Sequence, residues 1–359
     1  MKAANFPLPP LQGVDWDHLG FEPVEVNGHV ECTFSSKTGS WTEPVFVANP
    51  YLPIHGLAPG LNYGQQIFEG MKAFRNPSGE VQLFRPDQNA LRFARSARCV
   101  SIPPVPTDLF QRAVNIAVGM NTEYVPPHST GASLYIRPIA FASSPTVGLF
   151  LATQFMFCVY VLPVAPLHGK GIDKGADVLV IEDFDRAAPL GTGSVKVGGN
   201  YGPVLGLIDD AKKQGFNLTL HLDSLSHSLI DEFSTSGFIG VLNDGEVPIL
   251  VVSDSQQVVP SITVDSICEV ARAFDWHVER RPISFSEVAR FSEVYAAGTA
   301  AVLVPIGSIL QRSTGEHIIY PVEYSSSKSC FSRLSKALRD IQQGLVSDDR
   351  GWIKLVSKP

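Results

Sequence analysis

The apolar runs of this chain are all short, and that limits what it can build. The longest, Phe155 to Leu167, already contains Pro163 and Pro166, and others such as Val178 to Ile181 are shorter still. None has the length needed to cross a bilayer as a helix, so a membrane partner is not expected. With 359 residues, 44% of them hydrophobic and 18% charged, there is enough chain for two domains with a core each. A net charge of −7 with no basic stripe argues against a nucleic-acid partner.

Turn signals divide the chain further. Phe21 to Val47 reads as short strands separated by Gly28 and by Lys37 to Ser40, and a Pro-rich connection follows from Pro50 to Pro59. Val81 to Phe84 is a strand. A helix is expected from about Asp87 to the Pro103-Pro104 pair. Another has Thr107 as N-cap and Phe110, Ala113, Val114 and Ala117 on one face. Ser133 to Ala142 and Gln154 to Leu162 read as strands buried on both sides. Pro, Gly and Lys break the pattern at Pro163 to Lys174, which reads as the interdomain connection. Beyond it strands and helices alternate: Ala176 to Glu182, a helix ending near Lys213, Leu218 to Leu222, a helix opened by Pro260-Ser261, and a last helix near Ser329 to Leu345. The expected organisation is a smaller N-terminal α/β domain over 1–164, a linker over 165–175 and a larger C-terminal domain over 176–359.

Five scattered cysteines (Cys32, Cys99, Cys158, Cys268 and Cys330) form no C-x-x-C or Cys/His cluster, so neither a metal site nor a disulfide frame is expected, only buried thiols. The first residues, Met1 to Asp17, hold one Lys and several prolines. They lack the pattern of a secretory signal or a mitochondrial presequence, which makes the cytoplasm the expected location.

One stretch promises chemistry. Gly191 to Tyr201 (GTGSVKVGGNY) sets Lys196 between glycine pairs. Glycine permits close approach of other groups, so the lysine is expected in a crowded, partly desolvated place. There its amine would be available to attack a carbonyl. Neither phosphate-binding glycine motif fits: Lys196 stands where G-x-G-x-x-G needs its third glycine, and G-x-x-x-x-G-K-[ST] is absent.

Four separated motifs then carry a family resemblance. They are Asn62 to Phe74 (NYGQQIFEGMKAF), Tyr135 to Pro138 (YIRP), Lys196 to Pro203 (KVGGNYGP) and Gly298 to Ala301 (GTAA). In that order and spacing the chain resembles the branched-chain aminotransferases. The fold this implies is α/β, the two-domain fold type IV of pyridoxal 5′-phosphate (PLP) enzymes, D-amino acid aminotransferase-like or branched-chain aminotransferase-like. The resemblance implies a larger C-terminal domain that binds PLP, amino acid and 2-oxo acid substrates, and a homodimer in which the loop Ser144 to Gly148 approaches the neighbouring subunit's site.

Residue by residue, the resemblance makes Lys196 the catalytic lysine that carries the cofactor and then moves the proton. Glu232 matches the carboxylate on the pyridine nitrogen, with adjacent Asp231 as the rival. Tyr201 matches the partner of the phenolic oxygen. Arg92 matches the phosphate arginine, with Arg95 and Arg98 on the same helix as rivals. Ile262 and Thr263, at a helix start where N–H groups favour an anion, and Thr299 complete the phosphate site. Arg186 matches an arginine near the cofactor. Tyr135 and the backbone of Thr299 and Ala300 match the α-carboxylate site, and Arg137 the group that accepts the second carboxylate of glutamate. Tyr63, Phe68 and Thr235 would line the side-chain pocket.

The chain departs from the family at Ser261, usually Gly; Val264, usually Arg; Gly237, commonly Asn; and Leu167, a tyrosine in mammalian members. Ala301 and Val304 occupy the places of the mammalian C-x-x-C. The reaction implied is transfer of the amino group between L-leucine, L-isoleucine or L-valine and 2-oxoglutarate. Alternatives are a D-amino-acid or (R)-amine aminotransferase, or a specialised-metabolism enzyme, on the same fold. A serine acyl-transfer enzyme is suggested only by Ser325-x-x-Lys328 and Lys37-Thr38-Gly39, which stand in the wrong order for it. A non-catalytic protein on this fold would not need the Lys, Glu, Tyr and Arg set.

Overall fold

The computed structural model describes residues 6–16, 18–20, 23–165, 174–243 and 245–359. Leu167 and most of the expected linker lie outside them. Contacts divide the chain into two units, one of Met1–Pro166, Lys196–Gly198 and Asp340–Pro359, the other of Leu167–Val195 and Gly199–Arg339. The sequence reading places everything from 176 onward in one C-terminal domain. The final segment instead joins the first unit because its strand Ile353–Leu355 pairs antiparallel with Val81–Phe84. The Trp352 ring also packs edge-on against Phe84 at 5.6 Å.

The first unit is an antiparallel sheet of β1 (His29–Ser35), β2 (Ser40–Trp41), β3 (Val45–Val47), β4 (Gln66–Phe68), β5 (Met71–Arg75), β6 (Val81–Phe84), β7 (Ser133–Ala142), β8 (Gln154–Val164) and the C-terminal strand. After the short α1 (Pro59–Asn62) come two longer helices, α2 (Pro86–Cys99) and α3 (Thr107–Gly119). On α2, Ala90, Phe93, Ala94 and Ala97 form one buried stripe at helical spacing. Phe93 meets Phe110 of α3 at 5.2 Å and Phe157 of β8 at 5.4 Å, which fastens both helices to one face of the sheet. Two sequence expectations change here. Thr107 is the first helical residue rather than the cap, since Pro106 holds the cap position. α2 also stops before the proline pair, where Ser101 adopts a φ of 56°.

β7 is not buried on both sides. Tyr135 and Ile139 are half-buried and Arg137 is exposed, while Leu134, Ile136 and Pro138 are buried. Period-2 alternation thus gives this strand one helix-covered face and one face that reaches solvent.

The second unit is a mixed sheet of β9 (Ala176–Ile181), β10 (Leu218–Leu222), β11 (Ile230–Phe233), β12 (Gly237–Leu242), β13 (Ile249–Ser253), β14 (His277–Arg281), β15 (Glu293–Gly298), β16 (Val302–Leu310) and β17 (His317–Ile319). β9 runs parallel to β10, and β13 to β14. Parallel neighbours need a crossover. The first crossover contains the glycine-rich stretch and α4 (Val204–Lys213), and the second contains α5 (Ile262–Ala273). In the core Phe233 stacks on Phe238 at 5.7 Å, and Phe291 packs tilted against Phe238 at 6.1 Å. The buried Glu293 carboxylate accepts the N–H groups of Cys330 and Phe331, at 2.9 and 3.0 Å, and anchors the start of α6 (Cys330–Gln342).

Four of the five cysteines are buried free thiols, but Cys99, at the end of α2, is exposed. Among the described residues no group of three or more His, Cys, Asp or Glu could hold a metal ion. No helix among them is long and apolar enough to cross a membrane.

Candidate active site

In the first unit the candidate residues converge on Phe68. Lys196, half-buried, is fixed by its backbone: its N–H donates to the Ser96 hydroxyl at 3.0 Å, and its C=O accepts the Phe68 N–H at 3.1 Å. Its Nζ lies 4.7 Å from the centre of the Phe68 ring. The Arg137 guanidinium is 5.1 Å from the centre of that same ring and 5.2 Å from that of Tyr135. Its Nη2 donates to the Tyr135 hydroxyl at 3.0 Å. Cation and ring faces attract, so Phe68 serves both charges. Gly70 leaves room for Tyr135, because a Cβ at that position would sit 2.2 Å from its hydroxyl oxygen.

Arg92 and its rivals sit in different surroundings. Arg95 and Arg98 are exposed, whereas Arg92 folds against Glu69, with Nε 2.6 Å from Oε1 and Nη2 2.8 Å from Oε2. Tyr63 is exposed, and its hydroxyl donates to the Val147 carbonyl.

The second unit gathers its own group around Arg186. Its Nη1 approaches Glu232 Oε1 to 2.7 Å, with the two side chains 1% and 6% exposed. Its Nε donates to the Ser234 carbonyl at 3.0 Å, and its Cζ lies 5.6 Å from the centre of the Tyr201 ring. Asp231 points to the opposite face of β11 and takes the Ser255 hydroxyl at 2.7 Å. Burial raises its pKa, while Ser255 works the other way. Behind the turn after β11, the Ser234 hydroxyl bonds the Thr219 hydroxyl at 2.6 Å and His221 Nε2 at 2.7 Å. Burial, and secondly the charge of Arg186, bring His221 down to about 4.

Ile262 and Thr263 form the first turn of α5, where Ser261 caps by accepting the Val264 N–H at 3.2 Å. Thr299 and Ala300 occupy the β15–β16 turn. That turn closes on Val302 at a φ of 67°, a strained value for a β-branched residue. Thr235 is exposed in its own turn and contributes no contact to Arg186 or Glu232 among those described.

Three departures from the family pattern touch one another. A Cβ on Gly237 would come within 2.8 Å of Val264 Cγ2 and 3.7 Å of Ser261 Cβ. The glycine is therefore matched to the valine, and a larger residue at 237 would need Val264 to move. Glu69 and Ser96 were not among the residues singled out from the sequence. The signal for Glu69 is a single acid in the largely apolar stretch Ile67 to Phe74, whose other charge is Lys72. Such a position demands a buried partner.

Residues 66–309 match the family model described as amino-transferase class IV. The chain is 87% identical over 355 residues, 99% of each chain, to the branched-chain amino acid aminotransferase gloG of Glarea lozoyensis. It is 64% identical to the transaminase htyB of Aspergillus rugulosus, over 100% of this chain and 97% of that one. Among solved structures, the branched-chain amino acid aminotransferase of Escherichia coli superposes with a TM-score of 0.75 over 92% of this chain and 100% of its own. At 22% identity that likeness concerns the fold.

Proposed function

The chain belongs to the class IV aminotransferases, and on that premise we propose that it moves the amino group between branched-chain L-amino acids and 2-oxoglutarate, using PLP held on Lys196. The observation that carries this reading is the shared Phe68 ring, with the Lys196 amine on it at 4.7 Å and the Arg137 guanidinium at 5.1 Å. An amine able to take up a carbonyl and a cation able to take up a carboxylate stand around one apolar surface. That combination suits a substrate with an apolar side chain and a partner with a second carboxylate.

The chemistry of each of these donors suits the cofactor. Buried Glu232, held by Arg186, would pair with the ring nitrogen, and Tyr201 with the phenolic oxygen. Arg92, the first turn of α5 (Ile262, Thr263) and Thr299 would hold the phosphate. When bound, PLP supplies an electron sink for the bond to be broken at the substrate's α-carbon. Lys196, once released, would hold and return the α-proton. Tyr135 and the backbone of Thr299 and Ala300 would orient the α-carboxylate, leaving Phe68, Tyr63 and Thr235 to the side chain.

We also infer a homodimer. The exposed apolar run at Val147, Leu149, Phe150 and Leu151 supports it, and light scattering tests it.

The deciding experiment follows the visible absorbance of purified protein with L-leucine and then with 2-oxoglutarate. Loss of the cofactor band and its return are expected, with borohydride placing a pyridoxyl group on Lys196. Turnover of D-alanine or (R)-1-phenylethylamine without L-leucine would overturn the substrate assignment.

A further inference from the structure

Glu69 is wholly buried between β4 and β5, in a place where a carboxylate is costly. Every contact it makes orients something. Its Oε1 takes Arg92 Nε at 2.6 Å. Its Oε2 takes Arg92 Nη2 at 2.8 Å, Asn89 Nδ2 at 2.8 Å and the Gly70 N–H at 3.1 Å. Its own N–H donates to the Pro138 carbonyl at 2.8 Å, so its backbone is tied to β7. Burial alone would raise its pKa, but the Arg92 charge and hydrogen bonds, and then the Lys196 charge, bring it below the usual value.

A buried ion pair of this kind is weak evidence for stability, since apolar replacements often serve as well. What a two-point carboxylate–guanidinium pair does secure is direction. Held through Nε and Nη2, the guanidinium has its plane fixed, and its Nη1 edge is turned away from Glu69. The same helix sets Lys196: one turn beyond Arg92, Ser96 donates to the Arg92 carbonyl at 3.1 Å and accepts the Lys196 N–H at 3.0 Å.

We propose that Glu69 is a positioning residue that aims Arg92 at the phosphate of the bound cofactor, and so sets how strongly the protein prefers a phosphorylated pyridoxal to an unphosphorylated one. This rests on the assignment of Arg92 as a phosphate ligand. It runs against simple charge counting, by which removing a carboxylate beside a phosphate-binding arginine should tighten phosphate binding. The two accounts predict opposite signs.

The full-length protein, wild type and Glu69→Gln, is titrated with PLP and with pyridoxal, following absorbance and tryptophan fluorescence. Glu69→Gln is expected to weaken PLP by roughly ten- to a hundredfold, the range for a lost charge-assisted hydrogen bond. Pyridoxal affinity should stay unchanged. In an Arg92→Gln background the same substitution should have no further effect on the ratio of the two affinities. Should Glu69→Gln not fold, Glu69→Asp, one methylene shorter, is expected to move the ratio in the same direction by less. Tighter or unchanged PLP binding overturns the proposal, as does an equal loss for both ligands or a full effect without Arg92. Wild-type protein that binds no PLP would instead overturn the reading of the function.

Discussion

Lys196 and Phe68 are joined twice, once through the backbone and once through their side chains. The Phe68 N–H reaches the Lys196 carbonyl at 3.1 Å, and the Lys196 amine sits 4.7 Å from the centre of the Phe68 ring. The neighbouring bridge between Ile67 and Val197 makes this a short length of antiparallel pairing. A lysine on a loop is thereby given the definition of a strand residue, which suits the role proposed for it, meeting a substrate atom at a set distance.

Replacing Phe68 by leucine removes the ring face from two cations at once. Each such contact is worth about 0.5–2 kcal/mol, and under the proposed function the one to Arg137 matters only when a second carboxylate must be bound. KM for 2-oxoglutarate should rise roughly 2- to 30-fold, the equivalent of that energy, and KM for 4-methyl-2-oxopentanoate by less. Steady-state kinetics with the two oxo acids check this; equal changes in both would falsify the pairing of Phe68 with Arg137.

Gly70→Ala acts through space alone, because Gly70 is not in the left-handed region. The added methyl would stand 2.2 Å from the Tyr135 hydroxyl and 3.1 Å from Cζ, so the ring must swing away and lose its bond from Arg137. Crowding of this kind costs about 1–3 kcal/mol. The expected result is about a tenfold or greater fall in kcat/KM, against which Gly70→Ala in a Tyr135→Phe background should cost less. An undiminished penalty there would mean that the hydroxyl is not what the methyl strikes.

Much of this arrangement could be read from the residues, and the remainder had to come from contacts between distant ones. Lys196 stood out because glycines bracket it, and the helical spacing of Phe110, Ala113, Val114 and Ala117 marked α3. Period-2 alternation puts Asp231 and Glu232 on opposite faces, yet it does not say which face meets Arg186, 46 residues earlier. The role proposed for Glu69 depends on Arg92, 23 residues later, and an acid in a largely apolar stretch reads the same whatever its partner. The open face of β7 was missed because Tyr135 and Ile139 look apolar while serving a half-covered surface. The pairing of Ile353–Leu355 with β6 was equally hidden, as three residues carry too little pattern.

Ser96 is fully buried and receives the Lys196 N–H. With alanine in its place that half-buried N–H loses its acceptor, which costs about 0.5–1.5 kcal/mol. The denaturation midpoint should fall accordingly, and amide hydrogen exchange at Lys196 should speed up more than at neighbouring buried amides. Unchanged exchange at Lys196 would show that the serine does not hold the lysine in place.

Acid should loosen the second unit through His221. Its ring is 1% exposed, and burial followed by the charge of Arg186 lowers its pKa from 6.5 to about 4. Between those values the unfolded chain binds a proton that the folded chain refuses, so stability rises with pH there. The contribution is complete above about 6.5, declines as pH falls, and is exhausted below about 4. A shift of this size corresponds to roughly 3 kcal/mol over the window. His221→Gln keeps a polar group toward Ser234 but has nothing to titrate. Urea denaturation at pH steps from 7 to 4 should show the wild type losing more stability than the variant by about that amount, and parallel curves would mean that His221 is not the group responsible.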